Sequence, residues 1–333
     1  MRCRTLALSL QAIGHKVFFA MQDLPGQASQ LVQDAEFEVL SVKDQTGDRD
    51  GRLTDKDRLQ TERIISRTNA ACILVDHYGA TSGYLGGIKA RSVKIAVIDD
   101  MADRDLSAVG WLLNQNLGAS RLPYRTPDDC IRLFGPAYAL LRPEFARTRP
   151  TAVRKTSKGD RNVLLTLGGG DTTDLTLSIL DALGHSPLEL NIRCILGHSD
   201  PIPSAVVAAI SQSGHDIEIL HRVGDMHNHM AWADISINAG GSTCWELCCL
   251  GTPMIVMVTS QDQRLIASGL HREGCAQNLG QWQVERSAHK LTQTVAELLQ
   301  APARRRSMST SGRGLVDGWG ARRTAESLAG FST

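Results

Sequence analysis

Apolar residues in this chain fall in short continuous runs, not in long alternations. Residues 17–20, 73–75, 95–98, 112–113, 163–167, 192–196, 217–220, 235–237 and 254–258 are such runs, each closed by polar residues or glycine. Runs of this length, rich in Val, Ile and Leu, predict strands buried on both faces of a parallel sheet. Between them the apolar spacing turns helical. Leu6, Leu10 and Ile13 recur on one face, with Gly14 as a stop. Further helices are predicted from residue 174, around 206–210, near 227–232, from 244, over 264–272 and over 291–299. The polar tract 44–63 reads as a loop leading into a helix through Ile64-Ile65.

Strand–helix alternation in both halves predicts an α/β protein of two doubly wound parallel-sheet domains facing a cleft that holds the ligand. The expected division is 1–148, a linker over 149–160 rich in Arg, Lys and Thr, and 161–333. The first half opens on a helix, whereas a doubly wound sheet starts from a central strand, so the first strand of the N-terminal domain is expected to be missing. Polar residues gather where the runs end, at Asp76-His77-Tyr78-Gly79, Asp99-Asp100 and Asn114-Gln115-Asn116. That is the carboxyl edge at which open parallel sheets bind ligands.

Two glycine turns in the second half carry the chemistry. One is Leu167-Gly168-Gly169-Gly170-Asp171; the other is Asn238-Ala239-Gly240-Gly241-Ser242-Thr243, followed by Cys244-Trp245-Glu246. Each leaves a strand-like run and enters a helix. Unpaired N–H groups and the positive end of a helix dipole then point at one place, which suits a diphosphate. Ser242 and Thr243 add hydroxyl donors. Glu246 lies one helical turn past Ser242, on the same face, where a carboxylate accepts from two ribose hydroxyls. Neither turn continues as Gly-Lys-Ser/Thr or as G-x-G-x-x-G, which argues against a P-loop and a nicotinamide site. The ligand class is a nucleoside diphosphate.

The chain of 333 residues has 36 basic and 35 acidic residues, a formal charge of +1, so nucleic acid is not an expected partner. No run approaches the length that crosses a bilayer, and the start does not read as a secretion signal. Eight cysteines without Cys-x-x-Cys spacing read as free thiols in a reducing, cytoplasmic setting. His215, His221, His227 and His229 match no zinc signature and read as solvated or capping residues. Asp48-Arg49-Asp50 and Asp103-Arg104-Asp105 read as surface carboxylates, so neither a metal nor another cofactor is expected.

Matching strings run nearly end to end. They include Arg2-Cys3 with Leu6-Ala7, Asp76-His77-Tyr78-Gly79, Ile98-Asp99-Asp100, Gly251-Thr252-Pro253 and both glycine turns. The most specific is Tyr138-Ala139-Leu140-Leu141-Arg142-Pro143-Glu144-Phe145. With these, the chain resembles the nucleotide-sugar hydrolases of pseudaminic-acid biosynthesis, which release UDP from UDP-2,4-diacetamido-2,4,6-trideoxy-β-L-altrose. The resemblance implies a GT-B fold, kinship with the peptidoglycan UDP-N-acetylglucosamine transferases, and inverting attack of water at the anomeric carbon without metal. It implies substrate binding by Gly168, Gly169, Gly170, Asp171, Gly240, Gly241, Ser242, Thr243, Glu246 and Gln263. Tyr78 then stands near the sugar, His77 accompanies the base, and Asp262 replaces the family's usual Asn. The family's catalytic histidine falls upstream of Met1, outside this sequence, so the resemblance supplies no base here. Two other readings stand beside it: a GT-B glycosyltransferase using a UDP-sugar donor, and a non-catalytic nucleotide-sugar-binding protein.

Overall fold

The structure, a computed structural model, describes residues 1–22, 29–43, 51–89, 93–151, 156–168, 172–197, 206–208, 213–221 and 223–332. The chain divides into two compact units, Met1–Leu140 with Trp319–Thr333, and Leu141–Gly318.

The first unit runs α1 (Arg2–Ala12), β1 (Phe18–Gln22), α2 (Ser29–Gln33), β2 (Glu38–Val42), α3 (Asp55–Thr68), β3 (Cys72–Val75), α4 (Ser82–Lys89), β4 (Lys94–Ile98), β5 (Trp111–Asn114) and β6 (Ile131–Phe134). Its strands form two parallel pieces, β1–β2 and β3–β4–β5–β6. Among the described residues no strand bridges the two pieces. Helix α1 serves both pieces. Leu6 packs with Ala96, Ile98, Trp111 and Leu113, while Ala7 packs with Val32 and Phe37.

The second unit runs α5 (Pro143–Thr148), β7 (Asn162–Thr166), α6 (Thr173–Gly184), β8 (Asn191–Leu196), β9 (Asp216–His221), α7 (Met226–Trp232), β10 (Ile235–Ala239), α8 (Thr243–Leu250), β11 (Met254–Val258), α9 (Gln263–Arg272), β12 (Ala276–Gln281), α10 (Val284–Gln300) and α11 (Pro302–Leu315). Its strands lie in the order β12-β11-β10-β7-β8-β9, all parallel. β10 and β11 are buried at every position, as the apolar runs require.

Three features differ from the sequence reading. Helix α3 begins at Asp55, inside the tract expected to be a loop. Thr54 caps it by accepting from the Asp57 N–H at 3.1 Å, and Asp55 and Asp57 in its first turn suit the helix dipole. The end of the chain is helical and belongs with the first unit. There α12 (Gly320–Ser332) lays Ala321, Ala325 and Leu328 on the β4–β5 core, and the Trp111 indole N–H donates to Ser327 Oγ at 3.0 Å. The chain therefore passes from one unit to the other twice, near residues 140 and 318. Finally, the segment 156–160 is tied down. Arg305, fully buried on α11, donates to the Ser157 carbonyl at 2.7 Å and pairs with Asp160 at 2.8 Å.

Candidate functional site

In the second unit β7, β10 and β11 are neighbours, so the turns that follow them share one edge of the sheet. Gly168 leaves β7 at φ +98, a conformation that side chains disfavour. Gly169, Gly170 and Asp171 lie outside the described residues. The turn after β10 is defined in full. Gly240 continues the ladder, its N–H donating to the Met257 carbonyl at 3.0 Å, so it does not supply a free donor. The next three amides differ. The intrahelical pattern starts with Cys244 and Trp245, which donate to the carbonyls of Gly241 and Ser242. Among the described residues the N–H groups of Gly241, Ser242 and Thr243 have no acceptor. These are the orphan donors of a helix start, and they make up the positive pole of α8.

Around these amides the surface is open. A Cβ placed on Gly241 meets nothing within 4 Å, and Ser242 is exposed at the N-cap without a side-chain capping bond. Underneath, Asn238 is fully buried and donates to the Ala239 carbonyl at 3.0 Å and to Cys244 Sγ at 3.2 Å, which fixes the turn from below.

Glu246 stands in the first turn of α8, half-buried. Burial pushes its carboxyl up to about 7; Arg142 pulls the other way and Glu144 adds to the rise. Arg142 was quoted above only as part of a motif, yet it is a working neighbour of this site. Its guanidinium donates to the Gly224 carbonyl at 3.1 Å and pairs with Glu144 at 3.1 Å. The sequence signal for it was the Arg-Pro-Glu start of α5, whose cation acts electrostatically on the half-buried Glu246. Asp262, exposed, occupies the N-cap of α9 without a capping bond, and Gln263 follows it.

The first unit gathers the other candidates at its own carboxyl edge. Arg2, in the first turn of α1, holds Asp76 at 2.9 and 2.5 Å and Asp100 at 2.7 Å. Asp100 also accepts from Asn116 at 2.7 Å and from the Tyr78 hydroxyl at 3.2 Å, while the Tyr78 side chain stays 62% exposed. His77 is set against acting as a base. Its Nδ1 accepts from the Gly79 N–H at 2.9 Å, which leaves the ring proton on Nε2. Burial lowers its pKa further, with Arg104 acting the same way against Asp57 and Asp76.

Burial opposes ionisation of Asp76, but the Arg2 hydrogen bonds and charge hold it below its ordinary value. The pair therefore stabilises the fold above the usual carboxylate range, and that contribution disappears as pH falls through the depressed value. Replacing Arg2 with Met is expected to reduce unfolding free energy by about 1 kcal/mol at neutral pH. The difference should close in acid, as urea titrations at several pH values will show.

His215 accepts from the Leu190 N–H at 3.4 Å and its Nε2 meets the Leu183 carbonyl at 2.7 Å, so it joins two segments and is not a solvated group. Among the described residues no three His, Cys, Asp or Glu side chains are arranged to hold a metal, and all eight cysteines are free thiols. Asp48, Arg49 and Asp50 lie outside the described residues. No described helix is long and apolar enough to cross a membrane.

The chain is 27% identical over 261 residues to the spore coat polysaccharide biosynthesis protein SpsG of Bacillus subtilis, covering 78% of this chain and 76% of that protein. It is 28% identical over 189 residues to the UDP-N-acetylglucosamine–N-acetylmuramyl-(pentapeptide) pyrophosphoryl-undecaprenol N-acetylglucosamine transferase of Xanthomonas axonopodis pv. citri. That match spans 55% of this chain and 41% of the transferase. The crystal structure of Acinetobacter baumannii MurG aligns with a TM-score of 0.70 at 15% identity, over 99% of this chain and 95% of that one. The fold is GT-B, and residues 163–317, which contain both glycine turns, Glu246 and Gln263, match the model of the Glycosyltransferase family 28 C-terminal domain.

Proposed function

We propose that this protein is a GT-B glycosyltransferase that takes a sugar from a UDP-sugar donor. The observation that carries the reading is the start of α8, where three amides without acceptors and the Glu246 carboxylate stand one helical turn apart in a segment matching family 28. In such a reaction an acceptor oxygen attacks the anomeric carbon and the bond to the diphosphate breaks. The electron pair leaves on the β-phosphate oxygen, and the acceptor's proton passes to a base. Amides of Gly241, Ser242 and Thr243 meet the charge that builds on the leaving diphosphate, and they need no reorganisation to do so. Glu246 holds the ribose, with Arg142 limiting the cost of its charge. Gly168, Gly169, Gly170 and Asp171 are proposed to complete the phosphate cradle. Asp262 is proposed to orient the sugar of the donor, and Tyr78 and His77, in the first unit, to orient the acceptor. No described residue is assigned as the base.

A second reading, hydrolysis of a UDP-sugar by water, is favoured by the string Tyr138 to Phe145, which resembles the pseudaminic-acid hydrolases. The two differ in what triggers UDP release. Incubation with UDP-N-acetylglucosamine and with diacetamido UDP-sugars, each with and without a panel of sugar and lipid-linked acceptors, separates them. Release only with an acceptor supports transfer, and release in buffer alone supports hydrolysis. Binding without release in either supports the non-catalytic reading. Failure to bind any UDP-sugar removes all three.

A further inference from the structure

One side chain joins the two ligand-side loops of the second unit. Gln263 Oε1 lies 3.0 Å from the Thr259 N–H, 3.0 Å from the Thr259 hydroxyl and 3.3 Å from the Gly240 N–H. Two of these partners are main-chain N–H groups, which only donate. The atom they converge on must therefore be the amide oxygen, which fixes the orientation of the side chain. Main-chain packing agrees. A Cβ placed on Gly240 would come 3.1 Å from Gln263 Cβ and 3.1 Å from its carbonyl oxygen, so glycine at 240 is what lets the two loops approach.

We propose that Gln263 is a positioning residue: its amide oxygen clips the turn after β10 to the loop after β11, so that the start of α8 is held in shape for its ligand and both loops respond together. Gly240 spends its N–H on the Met257 carbonyl as well, so the clip is a further point of attachment for a turn that its strand, its helix and the Asn238 amide beneath it also hold. Without it, the free amides of Gly241, Ser242 and Thr243 lose the fixed backdrop that aims them. The inference rests on the reading of those amides as a diphosphate site, but its core can be tested without any ligand.

The test compares amide hydrogen exchange, resolved by residue, in the wild type, Gln263→Met and Gln263→Glu. Methionine fills the same space without an acceptor; glutamate keeps one. In ligand-free protein, Gln263→Met should speed exchange at both Thr259 and Gly240 by about fivefold or more, while Gln263→Glu leaves both slow. The melting temperature should move by less than about 3 °C in either variant. Gln263→Met should also weaken UDP binding about tenfold. In the wild type UDP should slow exchange at Thr259 as well as Gly240, and in Gln263→Met at Gly240 alone. Faster exchange at Thr259 with Gly240 unchanged overturns the clip, as does no change at either. Should Gln263→Met fail to fold, Gln263→Asn, one methylene shorter, withdraws the oxygen and is read in the same way. A wild type that does not bind UDP defeats the nucleotide reading, and the ligand-free comparison still decides the clip.

Discussion

Gly241→Val is expected to abolish UDP binding, lowering affinity at least about 100-fold, while the protein stays folded. The added side chain enters open space, because a Cβ at this position meets no atom within 4 Å, and Gly241 is not among the glycines at positive φ. It therefore strains nothing in the free protein. A diphosphate held by the acceptor-free amides of Gly241, Ser242 and Thr243 would occupy that open space, so it and a valine side chain compete for it. Hydrogen bonds to a charged group are worth about 1.5–3 kcal/mol each, so loss of even two removes roughly 3–6 kcal/mol. Isothermal titration with UDP, alongside a melting curve that shifts by less than about 2 °C, checks the claim. Gly240→Val is the weaker experiment. Its Cβ would press on Gln263 and displace the loop, so lost binding there has two explanations. Retained affinity in Gly241→Val makes this turn structural.

The second large effect concerns Glu246 and has a sign that can be worked out in advance. Burial raises its pKa to about 7. Ribose hydroxyls donate, so they need the carboxylate, and the ionised fraction rises from about a tenth at pH 6 to about nine-tenths at pH 8. Affinity for a UDP-sugar, whose diphosphate has no proton to gain in this range, should then increase about ninefold between those pH values, with one proton released on binding at pH 6. The free protein shows the opposite trend. A raised carboxyl pKa means the folded state holds the extra proton, so this residue's contribution to stability falls as pH climbs from the ordinary carboxylate range towards 7. Glu246→Gln should flatten both profiles, and Glu246→Ala should weaken binding about 10–100-fold. A flat pH profile in the wild type, or unchanged affinity in Glu246→Ala, takes the residue out of the site.

Much of this was legible in the chain because buried parallel strands announce themselves. The runs at 163–167, 192–196, 235–237 and 254–258 each became a strand, and the polar residues closing them mark the ligand edge. What escaped was what packing decides and local pattern does not. β12, Ala276–Gln281, reads as polar sequence and is a strand because it pairs with β11 at the sheet's edge. Helix α3 hid in a charged tract, since its start is set by Thr54 and acidic first-turn residues and not by apolar spacing. The last helix carries a good apolar face, yet nothing in its sequence tells which unit that face covers.

At the site, residue types were readable and their connections were not. Two adjacent glycines were visible, but only the structure separates Gly240, whose N–H belongs to the sheet, from Gly241, whose N–H is free. Gln263 was expected to touch substrate, and only the structure shows that its oxygen also ties the loop after β11 to the turn after β10. Arg142 and Glu246 are far apart in sequence and act on one another across the second unit.

The account depends on the start of α8 receiving a nucleoside diphosphate. The most direct measurement is a titration of 15N-labelled protein with UDP, followed through the backbone amide resonances. The amides of Gly241, Ser242 and Thr243 are predicted to move downfield together and saturate at one UDP per chain, with uridine alone moving them little. Saturable binding that leaves these three resonances in place, with the shifts elsewhere, would contradict it.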